Sequence, residues 1–162
     1  MLTLGLYVKT KDKKPNIHGV ILDSADNSIA AIIKHIPEDE NADGAGQAKE
    51  LYAHLLTAIK GKDIAAAVLL EGDWNENQRL TGPIKARLRL EGVVLAAIQS
   101  KIAGVVVMNG PALGRACNTD KAGAIAAGKE LGVPAAAAEA AAAALAAQSD
   151  LRCTGSTRRV VT

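Results

Sequence analysis

Apolar residues in the first third of the chain form three short runs separated by polar stretches. The runs extend over Leu2–Lys9, Ile17–Leu22 and Ile29–Ile36. The charged break between the first two contains Pro15, which lacks an amide hydrogen and is expected to end the strand ladder. The break before the third run, residues 23–28, has the composition of a turn. This pattern predicts three strands that pair as an antiparallel meander.

The apolar period then changes from that of strands to that of helices. Leu51, Leu55 and Ile59 recur every four residues after an acidic opening at 37–43, which predicts an amphipathic helix. Continuous apolar runs at Ile64–Leu70 and Val105–Met108 predict buried strands. We expect Ile64–Leu70 to pair in parallel with the first strand and Val105–Met108 to extend the sheet.

Three further segments have helical patterns, at 84–101, 119–131 and 135–147. Together with the strands they predict an α/β fold with one mixed five-stranded sheet, three strands antiparallel and then two parallel, and helices on both faces. We expect residues 1–147 to form this domain. Residues 148–162, with their arginines, are expected to form a basic and flexible C-terminal tail.

Composition removes several classes of function. The 162 residues include two Tyr, one Trp and no Phe, so a surface that stacks the bases of single strands is nearly excluded. No apolar run approaches the roughly 20 residues of a membrane span, and the first residues do not have the order of a secretory signal. Cys117 and Cys153 have no metal-ligand or disulfide pattern. We therefore expect a reduced, cytoplasmic protein, and the net charge of +2 does not by itself indicate a nucleic-acid partner.

Two carboxylates stand where packing alone would not place them. Glu71 follows the apolar run Ile64–Leu70, at the strand end where open α/β sheets bind ligands, unless it has simply reached solvent there. Glu139 interrupts residues 135–147, which otherwise hold eleven alanines and one leucine. It either faces inward, where a carboxylate needs a partner, or marks the solvent face of the helix. Asp73 and Asp23 are weaker candidates, because acids in turns are usually solvated.

Basic residues cluster after Glu71. Arg79, Lys85, Arg87 and Arg89 fall within eleven residues, near the expected position of Glu71 at the sheet edge. Such a run is usually a solvated helix face. It favours phosphate binding only if the acids beside it bind metal.

The order of elements and several motifs resemble the RuvC family of Holliday-junction resolvases, which have the RNase H-like fold. The family has an apolar strand that ends in a catalytic Glu and is followed by a helix with a central Gly. Here AAAVLLEGDWNENQRLTGPIKARLRLEGVVLAA aligns Glu71 and Gly92 with these positions. The family-like Asp-Lys pair is Asp120–Lys121, and EAAAAAL places Glu139 on the Asp of the last family helix.

The chain departs from the family pattern at three positions. Tyr7 stands where the first strand of the family carries a metal-binding Asp. Gly72 replaces a second acid that often follows the Glu, and Ala136 replaces an acid or His in the last helix. If the second and third apolar runs formed the first hairpin instead, Asp23 would be the missing acid.

The resemblance implies two alternative functions. One is a Mg²⁺- or Mn²⁺-dependent endodeoxyribonuclease of branched or double-stranded DNA, with Glu71 and Glu139 as catalytic metal ligands and Asp23 or Asp73 completing the site. In that case Arg79, Lys85, Arg87, Arg89 and Lys121 would contact the nucleic acid. The other is a non-catalytic binding or structural subunit without a metal, which Tyr7 favours because a phenol is a poor Mg²⁺ ligand at neutral pH. Either version implies a homo-oligomer, since resolvases of this family are dimers.

Overall fold

A single mixed sheet forms the centre of the structure. The computed structural model describes residues 1–11, 14–36, 44–73 and 79–157. Its strands are β1 (Leu2–Lys11), β2 (Lys14–Asp23), β3 (Ile29–His35), β4 (Ile64–Leu70) and β5 (Gly104–Met108). Its helices are α1 (Gly44–Ile59), α2 (Gly82–Gln99), α3 (Gly110–Ala116), α4 (Lys121–Glu130) and α5 (Ala138–Thr157), with a 3₁₀ turn at Ala135–Ala137 before α5.

The strand order is β3-β2-β1-β4-β5. β1, β2 and β3 form the antiparallel meander, and β4 pairs in parallel with both β1 and β5. Helices cover both faces, so the structure confirms the predicted α/β architecture of three antiparallel and two parallel strands. Among the described helices, none is both long and apolar enough to cross a membrane.

Two local features differ from what the sequence predicts, and a third prediction is not tested. Pro15 lies inside β2, opposite Thr10, and does not end the ladder. β3 pairs with β2 only from Ile17 onward, so Pro15 occupies an edge-like position where its missing N–H is tolerated. The sequence pattern also missed α3, a seven-residue helix that begins directly after β5. The acidic opening at 37–43 lies outside the described residues.

The predicted boundary at residue 147 does not coincide with the end of an element. α5 continues to Thr157, ten residues further. Residues 148–157, which the sequence analysis assigns to the C-terminal tail, are helical in the structure, while residues 158–162 lie outside the described part of the chain. The helix continues because the segment after Ala147 contains no proline, and an internal glycine weakens a helix without ending it.

The two faces of the sheet are packed differently. On one face, leucines, isoleucines and valines of β1, β2 and β4 meet those of α1 and α2. On the other face, the alanines of α5 lie directly on β1, β2 and β4, with α3 and α4 outside them. This second face carries Tyr7, and α5 brings Glu139 to the same end of the sheet.

Candidate functional site

Tyr7 lies on the central strand, beside the carboxyl end of β4. In the parallel register its partner on β4 is Leu70, and on β2 it is His18. Tyr7 is therefore in register with Leu70 and not with Glu71, the next residue along the chain. Register partners on neighbouring strands lie on the same face of the sheet, and Tyr7 and Leu70 both belong to the face toward α5.

The Tyr7 side chain is half-buried against α5 and surrounded by charges from several elements. Burial raises the pKa of its hydroxyl above the usual value, and the negative charges of Glu139, Asp73 and Glu91 raise it further, whereas Arg87 lowers it. The phenol therefore keeps its proton at neutral pH. It can donate one hydrogen bond, but it does not supply the negative oxygen that a hard cation prefers.

Glu139 lies in the first turn of α5, where a carboxylate interacts favourably with the positive end of the helix dipole. Its side chain is 19% exposed, and Lys9 Nζ is 3.9 Å from its Oε1. α5 reaches this position because Gly5 has no side chain. A Cβ at Gly5 would overlap with the Ala140 carbonyl oxygen and the Ala144 amide nitrogen, so the backbones of β1 and α5 are in direct contact.

The loop after β4 is held by Arg87 and Glu91. The Gly72 amide donates to Glu91 Oε1 at 3.1 Å, and the Arg87 guanidinium donates to the carbonyl oxygens of Gly72 and Asp73 at 3.3 and 3.5 Å. A Cβ at Gly72 would overlap with the Arg87 guanidinium. An acid at position 72, as in the family pattern, would therefore require Arg87 to move.

Glu91 is a site residue that the sequence analysis missed. It is buried, with its side chain only 9% exposed, and Arg87 Nε is 3.4 Å from its Oε1. Burial raises the pKa of Glu91, although the Gly72 amide and Arg87 counteract this effect. Arg87 and Glu91 are four residues apart, a spacing typical of solvent-exposed ion pairs. The sequence contained one sign of this burial: Glu91 stands next to Leu90 and three residues before Val94, two apolar residues of α2 that are buried in the core.

These loop residues line a cavity of about 380 Å³ at the carboxyl ends of β4 and β5. Its walls come from the loop after β4, from α2 and from the segment after β5; they are Glu71, Gly72, Asp73, Leu88, Glu91, Asn109 and Pro111. Glu71 is exposed there, and its amide donates to the Met108 carbonyl oxygen at 2.8 Å. Asp73 forms an ion pair with Lys121 of α4. The position agrees with the general rule that ligands bind at the carboxyl ends of parallel strands.

The acids do not fit a pair of metal ions. Among the described residues, no group of three or more His, Cys, Asp or Glu side chains is arranged to hold a metal. Two hard cations, each with about six oxygen ligands, need several converging carboxylates. The structure instead places Glu139 beside Lys9 and Asp73 beside Lys121.

Asp23, which the sequence analysis considers as a further metal ligand, lies far from Tyr7 in the structure. It pairs with Leu2, five residues along β1 from Tyr7, which corresponds to about 17 Å. Its carboxylate accepts a hydrogen bond from the Ala25 amide and lies 3.4 Å from the amino terminus, and these contacts hold its pKa below the usual range. Asp23 thus stabilises the turn at the opposite end of the sheet.

The five basic residues predicted to contact nucleic acid form two groups, one of exposed side chains and one of side chains in ion pairs with acids of the same chain. Arg79, Lys85 and Arg89 are exposed around the start of α2. Arg87 is 12% exposed and is engaged with the loop after β4, and Lys121 is paired with Asp73. The first three therefore have the accessibility that a phosphate contact requires, and the Arg89 guanidinium also lies against Gly44 at the start of α1. Arg87 and Lys121 are engaged in ion pairs within the chain.

The sheet order, with three antiparallel and two parallel strands and helices on both faces, defines an RNase H-like fold. The chain matches no protein-family model and no curated protein. Its fold is that of two solved structures of Thermus thermophilus RuvC. The structure of that RuvC in complex with a Holliday junction substrate aligns with a TM-score of 0.71 at 14% identity, covering 94% of this chain and 96% of RuvC. A second RuvC structure aligns with a TM-score of 0.69 at 14% identity, covering 95% and 97%.

Proposed function

We propose that this chain binds branched DNA at the end of the sheet where Tyr7 lies, and that it does not cut this DNA. The observation that carries the absence of cleavage is the half-buried Tyr7 phenol, which lies on the central strand among Glu139, Asp73 and Glu91. A neutral phenol is a poor Mg²⁺ ligand. The fold itself is shared with a RuvC that was solved with a Holliday junction substrate.

The arrangement of the acids supports the proposed absence of cleavage. Hydrolysis by two metal ions needs ligands that hold the ions about 3.5–4 Å apart. No described group of acids has that arrangement. We therefore assign no hydrolytic step to Glu71 or Glu139.

The exposed basic residues around the start of α2 are the proposed phosphate contacts. Lys85 and Arg89 are four residues apart and lie on the same side of α2, and Arg79 precedes the helix. The amino-terminal end of a helix also attracts negative charge. Phosphate binding of this kind releases counterions and is therefore sensitive to salt.

The test compares the binding of a labelled four-way junction and of a linear duplex with the same arm sequence, by fluorescence anisotropy in EDTA. We expect tighter binding of the junction and an affinity that falls as salt rises. The double variant Lys85→Gln/Arg89→Gln should weaken binding and reduce the salt slope by about two. The matched control is Lys60→Gln/Lys62→Gln, since these exposed lysines precede β4 at the opposite end of the sheet.

Two results would contradict the proposal. One is the lack of any salt-sensitive affinity for the junction. The other is an equal loss of affinity in the control variant, because it would show that binding depends on overall charge and not on the start of α2.

A second candidate function is that of a structural subunit that associates with copies of itself. It is favoured by the edge strand β5, where Val106 and Val107 are 36% and 39% exposed. Edge strands offer unpaired backbone groups to other chains. Sedimentation velocity tests this candidate: it expects a dimer or larger species that Val107→Lys dissociates, and a monomeric wild-type protein would exclude it.

A further inference from the structure

Four acids lie near Tyr7 or line the cavity at the carboxyl ends of β4 and β5. They are Glu71, Asp73, Glu91 and Glu139. Three of them have a basic partner from the same chain. Lys121 pairs with Asp73, Arg87 Nε lies 3.4 Å from Glu91, and Lys9 Nζ lies 3.9 Å from Glu139. Glu71 has no ion pair among the described residues.

Two of these pairs join parts of the chain that are far apart in sequence. Lys9 on β1 reaches Glu139 on α5, and Lys121 on α4 reaches the loop after β4. Such pairs form only when the tertiary fold brings both partners to the same place. The methylenes of Lys121 lie over Gly110, where a Cβ would come close to Lys121 Cδ and to Asp73 Oδ1, so this lysine is built into the packing at the start of α3.

The third pair is the most deeply buried. Arg87 and Glu91 are 12% and 9% exposed, and a buried carboxylate without a partner is strongly disfavoured. The guanidinium also binds the carbonyl oxygens of Gly72 and Asp73, so one cation neutralises Glu91 and fixes the loop that carries Glu71.

We infer that Lys9, Arg87 and Lys121 take the electrostatic place of divalent metal ions, so that this cluster of acids is assembled and neutralised without any metal. Three cations against four carboxylates leave one net negative charge. A cluster that is already compensated gains little from a divalent cation, which would also have to displace an ammonium or guanidinium group. This inference concerns the free protein and does not depend on the proposed DNA binding.

The experiment is a titration of the full chain with Mn²⁺, in the absence of DNA, by isothermal titration calorimetry. The wild-type protein should give no stoichiometric binding heat. The variant Lys9→Met/Lys121→Met leaves Glu139 and Asp73 without their cations and should gain Mn²⁺ binding. The gain should disappear when Asp73→Asn and Glu139→Gln are added to this variant.

The control is Lys60→Met/Lys62→Met, which removes the same charge at the opposite end of the sheet and should not gain Mn²⁺ binding. Lys9 and Lys121 are 43% and 31% exposed, and methionine keeps most of the apolar length of a lysine, so both double variants should fold. The single variant Lys121→Met, whose partner Asp73 is 72% exposed, provides the same test with a smaller change.

The inference would be overturned by stoichiometric Mn²⁺ binding to the wild-type protein that Glu71→Gln abolishes. It would also be overturned if the Lys9/Lys121 variant and the control responded to Mn²⁺ in the same way. Since no nucleic acid is present in this experiment, neither outcome bears on the proposed DNA binding, which the anisotropy measurement tests separately.

Discussion

The two faces of the sheet are packed by different side chains and have different roles. The face toward α1 and α2 is filled by large side chains such as Leu4, Leu6, Leu55, Leu69 and Ile98, all fully or almost fully buried. Burial of such side chains contributes about 1.5–3 kcal/mol each, so this face supplies much of the hydrophobic stabilisation.

On the face toward α5, valine, leucine and methionine side chains of the strands pack against a helix that consists mainly of alanine. Seven of the eight residues from Ala140 to Ala147 are buried alanines, and at Gly5 the backbones of β1 and α5 touch. Here the separation of two backbones is fixed within narrow limits. The second face therefore mainly positions the site, because it sets where Glu139 and Tyr7 lie relative to the loop after β4.

The largest effect is expected at the contact between β1 and α5. In Gly5→Val, the new side chain would overlap with the backbone of α5, so the helix would have to leave the sheet. We expect loss of the cooperative fold, or destabilisation of more than about 3 kcal/mol, the upper end for overpacking. Urea unfolding followed by circular dichroism measures this. A loss below about 1 kcal/mol would show that α5 is free to shift and does not position the site.

A smaller loss is expected on the opposite face. Leu69→Ala removes a side chain that is 2% exposed and should cost about 2–5 kcal/mol. The same variant should leave the affinity for a four-way junction unchanged at temperatures where it is folded. A reduced affinity of the folded variant for the junction would mean that packing on the face toward α2 also affects the proposed DNA-binding region.

The pH dependence of stability tests the charges near Tyr7. Burial lowers the pKa of His18, Lys34 and Lys9 lower it further, and Glu139 opposes them. The unfolded chain therefore binds a proton more readily, and stability should fall as pH drops from about 6.5 toward the lower pKa of the folded state. His18→Asn should flatten the unfolding free energy across this window. An unchanged slope in the variant would assign it to another group.

The smallest effect is expected at Gly92, in the middle of α2. A Cβ there would meet no atom within 4 Å, so Gly92→Ala should stabilise the protein by about 0.5–1 kcal/mol. Thermal unfolding measures the shift. This variant is also the control for Gly5→Val. Substitution of a glycine without close neighbours should raise the free energy of unfolding, whereas substitution of a glycine that permits a backbone contact should lower it.

Much of the fold was predictable because its strands are continuous apolar runs with turns between them. The three meander strands, the two parallel strands and the helix predicted within residues 119–131 are all present in the structure. The seven-residue α3 was not predictable, since it is too short to show a period. The extension of α5 was missed because its last turns are polar, which indicates exposure but not the absence of a helix.

The site was less predictable than the fold. β1 is apolar along most of its length, so nothing in its sequence sets the register that pairs Tyr7 with Leu70. The burial of Glu91 and the close contact between Gly72 and Arg87 depend on how α2 lies against the loop after β4. The ion pairs of Lys9 and Lys121 join residues that are 130 and 48 positions apart, and no local pattern reports them.

The most direct test of the central claim is to incubate a labelled four-way junction with the wild-type protein in Mn²⁺ and to analyse the same sample twice. A native gel reports binding, and a denaturing gel reports the length of each strand. We expect a retarded junction with all four strands intact. A retarded junction with cut strands, and the loss of cutting in Glu71→Gln, would contradict it and would show that Glu71 acts in a functional metal site despite Tyr7.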